Sequence, residues 1–172
     1  MARNIEIKAR LPDLENMLTR VREVADRGPQ ELVQDDTFFT CPEGRLKLRR
    51  FAPEDGQLIF YRRADESGPK ESFYVLSPTA SPDSLREALT LAYGTIGRVR
   101  KHRTVYWAGR TRIHLDRVEA LGSFLELEVV LEDGESPETG QREAERLMAE
   151  LGIPSDWLLQ GAYLDLLLKD AT

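Results

Sequence analysis

Polar and apolar residues alternate with a period of two through much of this chain, and most of the segments so marked keep one clean apolar face. In 4–10, Asn4, Glu6 and Lys8 share a side against Ile5 and Ile7. In 110–118, Arg112, His114 and Asp116 share a side, while Ile113, Leu115 and Val118 face the other way or end the run. After the turn ALGS, Glu126 and Glu128 oppose Leu125, Leu127 and Val129. Two carboxylates at that spacing sit about 7 Å apart and point the same way.

The same pattern predicts five further strands. Leu32, Val33 and 37–40 form one, followed by 45–51, 58–63 and 71–76, with the breaks CPEG, APEDG and ESGP carrying the Pro, Gly and Asp of hairpin connections. In 45–51, Lys47 and Arg49 lie opposite Leu46 and Leu48, and 58–63 ends in Arg62 and Arg63. A long strand over 96–107 carries charge on either face, with Lys101, Arg103 and Val105 on one side and Arg100, His102, Thr104 and Tyr106 on the other.

Between the strands the period changes to that of a helix. Pro12-Asp13 opens a helix with Leu14, Met17, Leu18, Val21 and Val24 on one face, stopped by Gly28-Pro29. Ser81-Pro82 opens a second, with Leu85, Ala88, Leu89 and Ala92 as its stripe and Gly94 as its stop. Ser136-Pro137 opens a third, with Ala144, Leu147, Met148 and Leu151 inward, and Pro154-Ser155 begins a last, leucine-rich segment interrupted by Gly161.

The expected class is therefore α+β: an eight-stranded antiparallel β-barrel or tunnel, closed or cup-like, flanked by helices, with 1–172 as a single domain. Charge on an antiparallel strand usually faces water. Here the recurrence along the whole chain favours the opposite arrangement, with the apolar faces against helices and the polar faces lining a channel.

Composition sharpens this picture. The 172 residues are 41% hydrophobic and include 24 basic against 30 acidic side chains, for a net charge of −6. That balance argues against nucleic acid as a partner. The single Cys41 excludes an internal disulfide and suits a reducing compartment. No run approaches a membrane span and the N-terminus has no apolar core of signal-peptide length, so the expected setting is cytoplasmic.

Although the chain is acidic, bases outnumber acids on the faces assigned to the channel, which carry Lys8, Lys47, Arg49, Lys101, Arg103 and Arg112 against Glu6, Glu126 and Glu128. Enclosed charge needs a partner, which a salt-bridge network, water or a ligand can supply. A local positive excess points to an anion, and paired carboxylates point to a hard divalent cation. A metal-bound polyphosphate satisfies both.

The stretches NIEIK (4–8), QDDTFF (34–39), GRLKLRR (44–50), VRKHRTVY (99–106), RIHLDRVEALGSFLELEVV (112–130) and GAYLDLL (161–167) resemble, in order and over nearly the full chain, the CYTH superfamily of triphosphate tunnel metalloenzymes. The likeness is strongest to its class IV adenylyl cyclase-like and thiamine triphosphatase-like branch. It implies a tunnel or cup that binds a small-molecule triphosphate with Mg2+ or Mn2+. It further implies Glu6 and Glu126 as metal ligands supported by Glu128 and Asp116. Lys8, Lys47, Arg49, Arg62, Lys101, Arg103 and Arg112 become phosphate contacts, with Lys8, Lys101 and Arg103 acting on the reacting phosphoryl group. Arg63 replaces Arg62 if the turn before it differs by one residue.

Asn4 stands where the family signature Glu-x-Glu-x-Lys has its first glutamate, which leaves the number of metals open. His114 is expected as a hydrogen-bonded interior histidine and His102 as an outer one. Trp107, Trp157 and Tyr163 are expected in packing, with Tyr163 pinning the last helix. Three activities fit the resemblance: hydrolysis of a triphosphate, cyclisation of ATP, and binding of polyphosphate or nucleotide without turnover. The same branch also implies that two subunits can associate.

Overall fold

The computed structural model describes residues 2–64 and 67–171. Its strands are β1 (Ala2–Arg10), β2 (Arg27–Phe39), β3 (Arg45–Ala52), β4 (Asp55–Arg63), β5 (Lys70–Thr79), β6 (Thr95–Ala108), β7 (Thr111–Val118) and β8 (Gly122–Val130). Its helices are α1 (Leu14–Val24), α2 (Pro82–Tyr93), α3 (Pro137–Leu151) and α4 (Tyr163–Asp170). The eight strands close into a barrel in the order β1-β5-β4-β3-β2-β6-β7-β8, every neighbouring pair antiparallel. No helix among the described residues is long and apolar enough to cross a membrane.

The apolar core lies outside the barrel. Ile7, Ala9, Ile113, Leu115, Leu125 and Leu127 point outward and pack with Met17 and Val21 of α1 and Leu147 and Leu151 of α3. Leu125 and Leu127 have no solvent exposure, and each such side chain contributes about 1.5–3 kcal/mol. Asp13 caps α1 by accepting the Asn16 N–H at 3.0 Å. Gly140 lets α3 sit close to the wall, since a Cβ there would lie 2.7 Å from both Ile5 Cγ1 and Leu131 Cδ2.

The opposite wall is barer. α2 touches β2, β3 and β4 only lightly, so its expected stripe is half met: Leu85 and Leu89 are half-buried, while Ala88 and Ala92 stay exposed. Two further differences are local. β2 begins at Arg27 rather than near residue 31, because a bulge between Arg27 and Gln30 carries the pairing with β6 further back. The segment from Pro154 makes only a short 3-10 turn, Ser155–Trp157, before α4 begins after Gly161.

α4 seals one end of the barrel. Tyr163 and Leu164 pack with Phe38, Val99, Val118 and Phe124, and Gly97 leaves the space that Leu164 fills, a Cβ there being in direct collision with it. The segment leading into α4 is tied to β1 through Leu159 N–H on the Lys8 carbonyl at 2.9 Å.

Candidate active site

Inside the barrel is a cavity of about 340 Å³. Strand register brings its charged side chains together. Lys8 stands opposite Glu126 and Glu6 opposite Glu128 across β1–β8. Across β7–β8, His114 is opposite Glu126 and Arg112 opposite Glu128. Among the described residues, the lining holds Lys8, Lys47, Arg49, Arg63, Lys101, Arg103 and Arg112 against Glu6, Asp36, Glu126 and Glu128. The excess is positive, inside a chain whose net charge is −6.

Two clusters organise these charges. On the β2 side, Asp36 accepts from Lys47 Nζ at 3.0 Å, Arg49 Nε and Nη2 at 2.8 Å each, and Lys101 Nζ at 3.2 Å. Burial pushes the Asp36 carboxyl up, but Arg49, Lys101 and Lys47 outweigh it and hold the group well below the usual range. The lysines are also lowered, which for them favours the neutral form. Burial, opposed by Asp36 and reinforced by Arg49 and Arg103, brings Lys101 down to about 7. Burial and Arg49 bring Lys47 down to about 8.

On the β8 side, Glu126 meets Lys8 Nζ at 3.2 Å and Arg103 Nη2 at 3.0 Å, and Glu128 meets Arg112 Nη2 at 2.8 Å. Burial again raises the Glu126 carboxyl, and Lys8 and Arg103 overcome it to hold it well below the usual range. His114, Glu126 and Glu128 each present a ligand atom within 4.8 Å of the others. His114 Nδ1 is buried without a hydrogen-bond partner, its 3.6 Å to Glu126 being too long for one. Two carboxylates and a free imidazole nitrogen form a donor set that suits a divalent cation, the oxygens favouring Mg2+ or Mn2+.

The remaining expected residues fall into two groups. Glu6 lines the cavity but is held by Arg63 Nη1 at 2.5 Å, outside the His114 cluster. Asp116 does not line the cavity. It is fully buried, bound by Arg103 Nε and Nη2 at 2.7 and 2.6 Å and by the Tyr163 hydroxyl at 2.7 Å. Both oxygens are thus engaged, and it holds Arg103 in place rather than facing a metal. Arg62 is likewise corrected: it is exposed on the outer face, its guanidinium over Phe60 and Phe73, and Arg63 takes the interior position. The reason is phase, since adjacent strand residues point to opposite faces.

Asp36 received no role in the sequence reading, although 30, 32, 34, 36 and 38 share one strand face and all line the cavity. Asn4 Oδ1 and Gln34 Oε1, both from buried lining residues, have no hydrogen-bond partner. Trp107, expected in packing, lines the cavity with Arg27 over its ring at 4.4 Å. Tyr163 forms part of the floor, with Lys8 Nζ 4.0 Å from its ring centre. His102 lies outside, 3.3 Å from Glu31.

The fold and site together define an eight-stranded antiparallel barrel with an enclosed, positively biased cavity and an acid–imidazole cluster on one wall. The CYTH domain family matches residues 2–163, and the chain belongs to that family. It is 23% identical to adenylate cyclase CyaB of Aeromonas hydrophila, over 92% of this chain and 85% of that protein. In fold it is similar to the PH1012 protein of Pyrococcus horikoshii, with a TM-score of 0.84, 22% identity and coverage of 95% and 98% of the two chains. It is also similar to a candidate adenylyl cyclase from Hippeastrum described by a dominant triphosphatase activity, with a TM-score of 0.66, 17% identity and coverage of 94% and 91%.

Proposed function

We propose that this chain is a divalent-metal-dependent triphosphatase, acting as a single cytoplasmic domain on inorganic triphosphate, thiamine triphosphate or a nucleoside triphosphate. The observation that carries the reading is the excess of enclosed cations over carboxylates in a cavity shared with the His114, Glu126 and Glu128 cluster. Burying so many like charges is costly without a polyanion to neutralise them. The dominant triphosphatase activity named for the Hippeastrum protein is consistent with it.

In this reading Lys47, Arg49 and Arg112 hold the phosphate chain. Lys8, Lys101 and Arg103 lie along the terminal phosphoryl group and neutralise charge as it develops there. Attack of water on the terminal phosphorus breaks the bond to the bridging oxygen and gives diphosphate and phosphate. Asp116 and Tyr163 act behind Arg103, fixing its direction. Glu126, Glu128 and His114 would hold Mg2+ or Mn2+, with Glu6 joining them when Arg63 releases it. When bound, the metal supplies Lewis-acid neutralisation of phosphate oxygens.

A second reading, cyclisation of ATP to cyclic AMP and pyrophosphate, is supported by the relative named adenylate cyclase. The apolar residues Leu32, Phe51, Val105 and Trp107 in the lining also favour it, since they offer a surface for a base. One product assay separates the two. Tripolyphosphate, thiamine triphosphate and ATP are each incubated with protein and Mg2+ or Mn2+, with Glu126→Gln as control. Phosphate released from tripolyphosphate and lost in the control supports the triphosphatase. Cyclic AMP with matching pyrophosphate replaces it with the cyclase, and no product from any substrate sinks both and leaves binding.

A further inference from the structure

A second cavity, also of about 340 Å³, adjoins the first, and Tyr61, Arg63 and Ala162 line both, which makes them the wall between the two. Among the described residues its remaining charged lining is Arg45, Arg62 and Asp165. Arg45 is paired with Asp165 at 2.7 Å. Arg63 reaches back to Glu6 in the main cavity and to the Gly161 carbonyl beside the partition. Among the described residues no carboxylate pairs with Arg62, which is exposed with its guanidinium over the Phe60 and Phe73 rings.

We propose that this second cavity is a binding site for a phosphate oxyanion, and that it takes the orthophosphate released from the main cavity. Among the described residues Asp165 answers Arg45 and Glu6 answers Arg63, so Arg62 gives the cavity its surplus of positive charge, and the planar fork of arginine matches the oxygens of phosphate. Arg63 carries its charge at the boundary, so an anion leaving the main cavity meets a group that also belongs to the second. Gly44 completes the wall: it adopts φ +69°, and a Cβ there would lie 2.7 Å from Arg62 Cγ and 2.8 Å from the Tyr61 carbonyl oxygen. The loop can therefore close against Arg62 only with glycine at this position. The direction of travel rests on the triphosphatase reading, whereas the anion site itself does not.

The test is equilibrium dialysis of the full chain with radiolabelled orthophosphate, comparing Arg62→Glu, Lys47→Met and a charge-matched control, Arg117→Glu, on the far outer face. Arg62 is exposed, so its replacement leaves the fold intact, which thermal melting verifies. Arg62→Glu is expected to weaken one class of orthophosphate site by about tenfold or more, with Lys47→Met and Arg117→Glu sparing that class. Inhibition of tripolyphosphate turnover by added orthophosphate should weaken in step, with the single-turnover rate unchanged. Orthophosphate binding that is abolished by Lys47→Met and indifferent to Arg62→Glu would place all of it in the main cavity and overturn the proposal. Equal losses in Arg62→Glu and Arg117→Glu would reduce it to a general field effect and overturn it too. If the wild type turns over no triphosphate while Arg62→Glu still loses orthophosphate, the triphosphatase reading fails and the anion site stands.

Discussion

Asp36 and Glu126 are carboxylates enclosed in the same barrel, both held well below the usual pKa range against the pull of burial, yet their surroundings differ in kind. Asp36 is a lone acid among Lys47, Arg49 and Lys101, and its neighbours leave a surplus of positive charge. Glu126 is one of several acids, sharing Lys8 and Arg103 with a wall that also holds Glu128, Asp116 and His114. The first cluster is short of anions and the second is nearly balanced, with an imidazole nitrogen to spare. One half of the cavity is thus built to receive negative charge, and the other can present oxygen and nitrogen donors to a cation. A metal-bound polyphosphate would span the two.

The most damaging way to break the contrast is Asp36→Asn, which leaves three buried cations without their acid. It should destabilise the protein by about 3–5 kcal/mol, read from urea unfolding, and added tripolyphosphate should recover much of that loss. If Asp36→Asn instead unfolds like the wild type, the cations are already neutralised by other means and the surplus is not real. Glu126→Gln attacks the other wall. It should lower turnover about a hundredfold or more and raise the Mn2+ concentration needed for half-maximal rate, while tripolyphosphate binding, measured by calorimetry, is largely kept.

A smaller effect is expected from Tyr163→Phe, which removes a hydrogen bond to Asp116 but leaves both Arg103 bonds. Its cost should be about 1 kcal/mol of stability, seen as a modest fall in melting temperature. The smallest effect is fractional protonation. Folded Lys101 loses its proton near 7, whereas a free lysine keeps it to 10.5. Between those values the unfolded chain binds more protons, so this group makes the fold more stable as pH rises. Binding a polyanion reverses the preference by favouring the ammonium form. Tripolyphosphate should therefore bind more weakly as pH climbs above about 7, and at pH 8 binding should take up a fraction of a proton, detectable as a buffer-dependent heat. Lys101→Met should abolish most of that uptake.

How much of this was legible in advance depended on whether a local period could carry it. In β1, β7 and β8 the alternation is clean, so both the outward core of Ile7, Ile113, Leu125 and Leu127 and the inward set of Glu6, Lys8, Arg112, Glu126 and Glu128 could be read directly. The consecutive arginines 62 and 63 offered no such guide, because an error of one residue in strand phase exchanges inside and outside. The acids Asp36 and Asp116 were obscure for another reason. A carboxylate in a strand looks the same whether it will hold a metal, brace an arginine or neutralise a lysine, and that choice is made by partners such as Tyr163, Arg103 and Lys101.

The sequence by itself thus determined the alternation and the stripes of α1 and α3, and hence a barrel with its core outside and its charges within, because those properties depend on periods and local backbone preferences. Tertiary structure alone decided that Asp116 serves Arg103, that His114 stands with Glu126 and Glu128, that α4 floors the cavity, and that Arg62 faces a second space behind it. Each of these is a meeting of side chains distant in the chain, brought together by strand register and closure of the barrel, where a few ångströms in a medium of low polarity decide which charge answers which.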